Sequence, residues 1–447
     1  MGGLSVYGSG PTTRIALGVT NSWGNWQGQP IVQLSDDAGQ TWREIESMTP
    51  HTPADVDFSG WVDDVEIDPH NPDRILHVFG GGVWETRNAS AASPTWNLAV
   101  NGLEETATLA LMTPPKGANY TLLRSSGDIG IHVQTELLKT PTRGPRGWFG
   151  NGNSADMAWT TPSYIAAIGT SVWNMPTVGG AYSTDSGLTW TAFSGNHPDG
   201  LANQGSESNI AVSKPGYIVW APANSRPAFT TDNGASWTYT NLPALGAVGL
   251  NRGYRVVADR KNPNKVYAFN SGGAWWNQWS DTAHFWYSTD GGQTFTESTA
   301  FIAAGARVAD FGHASVAVNP NAEGDIWVAD GFSLLHSTDS GVTWTRLNAT
   351  APDWGSNPTW MYPQVYGATS IALGKAPAGA TYSASIYIVG TIGGVWGVHR
   401  SDDGGQNWRR INDDKHQYAG LGNLAADQSV PGRVYASAGG RGVVFSY

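Results

Sequence analysis

The octapeptide STDSGLTW at Ser183–Trp190 has five counterparts in the chain: SDDAGQTW from Ser35, TTDNGASW from Thr230, STDGGQTF from Ser288, STDSGVTW from Ser337 and SDDGGQNW from Ser401. From Ser183 onward the copies start 47, 58, 49 and 64 residues apart, whereas the first gap is 148 residues. Repetition on this scale is the mark of an architecture built from one supersecondary unit used many times. The long gap has room for about three units, so two units inside it should lack the motif.

The motif has the chemistry of a tight hairpin. Asp and Ser side chains accept backbone N–H groups inside such a turn, and Gly supplies a positive φ. The closing Trp or Phe is expected to point inward as an apolar anchor. Working outward, β-rich runs stand near most copies: VDDVEIDPHNPDRILHVFGGGVW (62–84), RVVADRKNPNKVYAF (255–269), ASVAVNPNAEGDIWVAD (314–330) and NLAADQSVPGRVYAS (423–437). Each unit reads as a four-stranded antiparallel meander, a propeller blade. Units fall near 11–47, 61–99, 105–140, 154–193, 207–240, 253–298, 313–347 and 366–411, with a shortened one at 421–447. Nine exceed the blades of one typical ring, so two rings, one incomplete, fit the count. The fold class is all-β, with no helix longer than a turn or two.

Composition narrows the function. The chain has 447 residues, with 40% hydrophobic, only 14% charged, and 22 Trp, 16 Tyr and 12 Phe. That is material for a core, not for a disordered chain. A formal charge of −11 argues against nucleic acid, which needs a basic face. The absence of Cys removes thiol nucleophiles, disulfides and Cys-based zinc sites. Ten scattered His form no metal-binding pattern, so neither a metal nor a cofactor is expected. No apolar run approaches 18 residues, and a membrane partner is not expected. The first residues, MGGLSVYG, have neither the charged nor the apolar region of a signal peptide.

The six motif aspartates repeat once per blade and would be dispersed around a rim, whereas catalysis needs groups that converge. They read as structural. The informative residues break the repeat. Unit 105–140 carries RSSGDIG at 124–130, with Asp128 between Gly127 and Gly130 at the end of a strand. Glycines there would let a sugar ring approach the backbone, while the plainer reading of Asp128 is another turn residue. Trp42, Trp190, Trp237, Trp344 and Trp408 belong to hairpin motifs, and Trp84, Trp220, Trp327 and Trp396 sit in strands as core. Trp23, Trp26, Trp148, Trp275, Trp276, Trp279, Trp354 and Trp360 stand in loops rich in Gly, Asn and other polar residues. Trp beside amide side chains suits stacking on neutral sugars. The alternative is packing of long loops on the propeller. Asp63 and Asp64 precede a strand, and Glu104 and Glu105 are expected to open the strand leading to Asp128.

Taken together, GLEETATLALMTPPKGA (102–118), LLRSSGDIG (122–130), RINDDKHQY (410–418), PGRVYASAGGRGVVF (431–445) and the 62–84 stretch resemble the C-terminal part of glycoside hydrolase family 74, the xyloglucanases. The resemblance implies a β-propeller with hairpin repeats of the Asp-box (BNR-like) type. Residues 1–100 would be the last blades of an incomplete N-terminal propeller, and 101–447 a complete C-terminal seven-bladed one. It implies a secreted, extracellular glycosidase that cleaves the β-1,4-glucan backbone of xyloglucan, a neutral plant polysaccharide, with inversion. Asp128 matches the family's second-propeller acid and would be the general acid, a role that needs its pKa raised by burial. Gly127 and Gly130 flank it, with Ile131 replacing the family's second glycine. Trp23, Trp26, Trp61, Trp275, Trp276 and Trp360 become substrate-binding candidates. The family's partner aspartate has no counterpart, so the chain is expected to be a fragment, with the missing propeller half as a partner. Asp63, Asp64, Glu104 or Glu105 would otherwise have to serve as base. Other readings are a non-catalytic carbohydrate-binding propeller, a sialidase, for which Arg14-Ile15-Ala16 is the nearest string to the usual Arg-Ile-Pro, and a protein-binding propeller.

Overall fold

The computed structural model describes residues 2–19, 32–46, 51–53, 62–145, 147–170, 179–200, 208–246, 251–274, 282–309, 311–347, 367–418 and 420–446. The chain forms two compact units, Met1–Glu104 and Glu105–Tyr447.

The second unit holds seven antiparallel sheets, five of four strands and two of three, each ordered as it runs in sequence. It is a β-propeller. Its innermost strands are Thr108–Met112, Asn151–Met157, Asn209–Lys214, Arg255–Ala258, Ser315–Val318, Ala368–Lys375 and Leu421–Ala426. Each packs against the next, and the last packs against the first, so the ring closes. Side chains on these strands cross between blades. Asn209 Oδ1 accepts the Val256 N–H at 2.7 Å, Ser315 Oγ that of Ile371 at 2.9 Å, and Ser370 Oγ that of Leu424 at 3.1 Å. Closure is made by Thr113 Oγ1 donating to the Ala426 carbonyl at 2.7 Å and Asn423 Nδ2 donating to that of Leu109 at 3.1 Å. These bonds satisfy polar groups that burial would otherwise strand.

A blade in a closed ring is covered on both faces, which explains why its middle strands read as continuous apolar runs. Val266–Asn270 and Val434–Ala438 are buried at every position, and Trp220 and Trp327 are fully buried between blades. The first unit contains a four-stranded sheet and a five-stranded one. They pack through Ala16, Val32, Leu34 and Ile45 against Val65, Ile75, Trp84 and Trp96. The single α-helix among the described residues is Thr299–Ala303, and no described helix is long and apolar enough to cross a membrane.

The octapeptide turns work as their composition suggests. Ser183 Oγ donates to Asp185 Oδ1 at 2.8 Å and accepts the Gly187 N–H at 2.9 Å; Asp185 in turn accepts the Thr189 N–H at 2.9 Å and the Thr189 hydroxyl at 2.6 Å. The same pattern recurs at Ser35, Thr230, Ser288, Ser337 and Ser401. The closing ring anchors as expected in five copies, with Phe295 buried and Trp190, Trp237, Trp344 and Trp408 packed against apolar cores, and it departs from that role at Trp42. The indole N–H of Trp42, Trp190, Trp344 and Trp408 donates to the carbonyl of the motif glycine. The rings are only partly buried, and Trp42 is 42% exposed.

Hydrogen bonds donated by the turns hold all six motif carboxyls below the usual range. At Asp232 the Ser236 hydroxyl contributes most, followed by the Thr230 hydroxyl, and the pKa falls to about 2. At Asp185, Asp290 and Asp339 desolvation is the largest influence and opposes the shift, yet the donated bonds together outweigh it. A carboxyl whose pKa is lower when folded contributes stability that is fully present above its unfolded value of about 3.9 and is lost as pH falls through the folded value. The expected outcome is a melting temperature that falls steeply below about pH 4, with a shallower fall in Asp232→Asn. An identical acid slope in that variant would show that the turn does not use the charge.

Candidate functional site

Asp128 sits at the tip of the hairpin joining Leu122–Ser126 to Gly130–Gln134 in the first blade of the second unit. Its carboxyl-bearing residue is exposed, and its φ is +64°, the left-handed region that Asp and Asn tolerate better than most residues. One bond closes the tip on itself, from the Ile129 N–H to the Gly127 carbonyl at 2.8 Å, and three tie it to its surroundings. The Gly127 N–H donates to the Ala107 carbonyl at 2.7 Å, the Asp128 N–H to Asn151 Oδ1 at 2.7 Å, and the Gly130 N–H to the Gly150 carbonyl at 3.0 Å. Ala107, in irregular chain, thus holds one side of the hairpin tip; the strand expected to open at Glu104 and Glu105 starts only at Thr108.

The glycines serve the chain's own packing. A Cβ on Gly130, whose φ is +80°, would lie 2.9 Å from the Phe149 carbonyl oxygen, and one on Gly127 would meet the Ala107 methyl at 3.3 Å. Beneath the tip, Arg124, Ser125, Ser126 and Asn153 are buried. Asn151 is the site residue that sequence reasoning missed: it belongs to the next blade, and no motif marks it.

Alternation along an antiparallel meander places the other elements. Hairpins between second and third strands, and connections between blades, open on the face of Asp128; the turns of Asp185, Asp232, Asp290, Asp339 and Asp403 join third to fourth strands and open on the other face. These five carboxyls therefore do not converge with Asp128. Trp275, Trp276 and Trp360 lie outside the described residues, but the described ends of their segments, at Ala274 and His284 and at Leu347 and Ala368, open on Asp128's face. Trp23, Trp26 and Trp61, in the first unit, also lie outside the described residues. Trp148 is half-buried and packs against the core of Leu123, Ile131 and Phe149.

Among other carboxyls, Asp63 and Asp64 are exposed in the first unit, where Asp64 Oδ1 accepts the Val65 N–H at 2.9 Å. Glu105 is exposed, with Oε1 beside Gly440. Asp330, on Asp128's face in the fifth blade, is fully buried. Burial pushes its pKa up, against the N–H groups of Ser333, Arg307 and Phe332 and the Ser333 hydroxyl. Its acceptor positions are spent on stapling loops. Among the described residues, no three His, Asp or Glu side chains come together as metal ligands.

No protein-family model matches the chain. It is 31% identical over its whole length to a xyloglucanase from a Paenibacillus species, of which it covers 42%. It is equally identical over 99% of its length to a xyloglucanase of Acetivibrio thermocellus, covering 50% of that protein, and over 94% to a probable oligoxyloglucan-reducing end-specific xyloglucanase of Neosartorya fischeri, again covering 50%. The chain spans about half the length of these curated relatives. Among solved structures, the GH74 xyloglucanase of Xanthomonas campestris superposes with a TM-score of 0.71 at 27% identity, over 97% of this chain and 57% of that one. A GH74 enzyme of Niastella koreensis gives the same TM-score and identity, over 99% and 59%. From end to end the chain is similar to the GH74 xyloglucanases, about half of whose length it spans.

Proposed function

We propose that this chain is the acid-bearing part of an inverting hydrolase acting on the β-1,4-glucan backbone of xyloglucan, with Asp128 as general acid. The observation that carries the reading is the clamped hairpin, which presents a single carboxyl in a left-handed turn on the face opposite the structural aspartates. Inversion would set a base about 6.5–9.5 Å from Asp128, with a water between them. On this reading the base comes from further blades, on the same chain or a partner, and the work is done outside the cell, where the polysaccharide is. The outer face of the first unit's four-stranded sheet supports the need for more blades. There the pairs Leu4–Leu17 and Val6–Ile15 lie side by side, with Leu4 52% and Val6 54% exposed. In the second unit the corresponding faces are buried between neighbours. The residues 1–100 are then the last blades of one propeller and 101–447 a complete second one.

One observation favours a second reading, a non-catalytic carbohydrate-binding propeller: Asp128 is exposed, whereas a general acid at neutral pH is held protonated by burial. Affinity electrophoresis in tamarind xyloglucan, run beside a reducing-sugar assay, separates the two. Retardation by the chain, with release of reducing ends once the further blades that supply the base are present, is the expected result. Retardation alone would establish the binding module, and neither would overturn both.

A further inference from the structure

We infer that Asn151 is the positioning residue for Asp128, a role that rests on the reading of Asp128 as the acid. Asn151 is the first residue of the innermost strand of the second blade, paired with Thr170, and so stands on a rigid element rather than on the hairpin it controls. Its side chain reaches across the blade boundary and accepts the Asp128 N–H at 2.7 Å. Only an oxygen accepts an N–H, so this bond also fixes which way the amide faces: Oδ1 points toward the Asp128 backbone, and Nδ2 is left as a donor at the tip.

The clamp matters because of where Asp128 lies in conformational space. A left-handed residue between two glycines has cheap alternatives, since glycine populates both signs of φ readily. The flanking bonds from Gly127 and Gly130 end on main-chain carbonyls, and they hold the two sides of the turn. The Ile129 N–H closes the turn on the Gly127 carbonyl at 2.8 Å, a bond internal to the tip; Asn151 accepts the N–H of Asp128 from outside the hairpin, and so ties the direction of the Cα–Cβ bond to the next blade. A general acid acts only within hydrogen-bond reach of the leaving oxygen, so that direction decides turnover.

Two arms test this, the first on the full chain and the second on the chain together with the further blades that supply the base. Amide exchange at Asp128, followed by NMR, reads the clamp without requiring turnover: Asn151→Ala should speed exchange at Asp128 by about 10-fold or more with exchange elsewhere in the blades unchanged, and Asn151→Asp, which keeps an acceptor oxygen, should restore protection. Kinetics read its use. Asn151→Ala should lower kcat on xyloglucan by about 10²-fold with KM little changed. Asn151→Asp should recover much of that kcat and, by adding a negative charge beside the acid, move the basic limb of the pH profile upward. Unchanged exchange in Asn151→Ala, or unchanged kcat in an active protein, overturns the inference. If Asp128→Asn leaves turnover intact, it is the acid reading that fails, and the exchange arm still decides whether Asn151 holds the turn.

Discussion

Asp128→Asn should keep the affinity for xyloglucan and lose hydrolysis by a factor on the order of 10²–10⁴, the usual contribution of a positioned general acid. The substitution is a clean one. Asparagine has the same shape and tolerates the left-handed φ of +64°. The backbone N–H that meets Asn151 Oδ1 is retained as well, so the hairpin should persist and only the transferable proton disappear. A leaving group that needs no proton gives the sharper comparison. An aryl glycoside of a xyloglucan oligosaccharide, with an acidic phenol, should be cleaved by the variant nearly as fast as by the parent, while the natural linkage is not. Asp185→Asn serves as control, because its carboxyl lies on the opposite face, bonded to Ser183 and Thr189; it should cost stability and leave turnover per folded molecule unchanged. Equal losses on both substrates would mean that Asp128 acts otherwise than by giving a proton. No loss on either would remove it from the mechanism.

The repeat was legible because its turn uses short-range chemistry: Ser, Asp, Gly and Thr at fixed offsets bond to one another, so spacing alone identifies them. Where the same bonds are made by other residues, spacing failed. In the first unit's second sheet, Thr86 Oγ1 donates to Asn88 Oδ1 at 3.0 Å, Asn88 Oδ1 accepts the Thr95 N–H at 2.9 Å, and Trp96 closes the hairpin. This is the octapeptide turn with Asn for Asp and a longer interval before Thr, and it was hidden from a fixed pattern. In the first blade of the second unit, Gln134 stands where the serine would and closes the turn with bonds of another kind, its Nε2 donating to the Lys139 carbonyl at 2.5 Å. Both lie in the long gap that seemed to lack the motif. Asp128 stands out in the sequence because it breaks the repeat. Asn151 does not, because its bond to the Asp128 N–H depends on two blades meeting, which is a property of the ring and leaves no local mark. At Gly130 the ring adds a constraint the local sequence does not show: a close neighbour in the Phe149 carbonyl of the same chain.

Removing the carboxylate of Asp156 should be among the costliest single changes in the second unit, about 3–5 kcal/mol, because it would leave a buried guanidinium without its counter-charge. Asp156 and Arg260 have side chains only 2% and 4% exposed, with Arg260 Nη2 3.0 Å from Asp156 Oδ1. Arg260 also lies over the Trp159 ring, 5.0 Å from its centroid, and Asp156 Oδ2 accepts the Val212 N–H at 2.9 Å. One carboxylate therefore ties strands of the second and third blades to the turn after the fourth blade's first strand, beside a cavity of about 120 Å³. Asp156→Ala strands the cation and removes the acceptor for Val212 together. Arg260→Met should be milder, since Asp156 keeps the Val212 N–H and methionine fills much of the space beside Met112 and Trp159. The double variant Asp156→Leu with Arg260→Met decides what the pair is for. Buried ion pairs exchanged for apolar residues of similar volume are often neutral or better, so the double change should recover most of the loss in urea unfolding, short of the bond to Val212. Recovery would mean that the pair sets which blades adjoin at little net gain in stability. A double variant as unstable as Asp156→Ala would locate the cost in the lost acceptor for Val212, and a loss below about 1 kcal/mol for Asp156→Ala would mean that water reaches the guanidinium through the cavity.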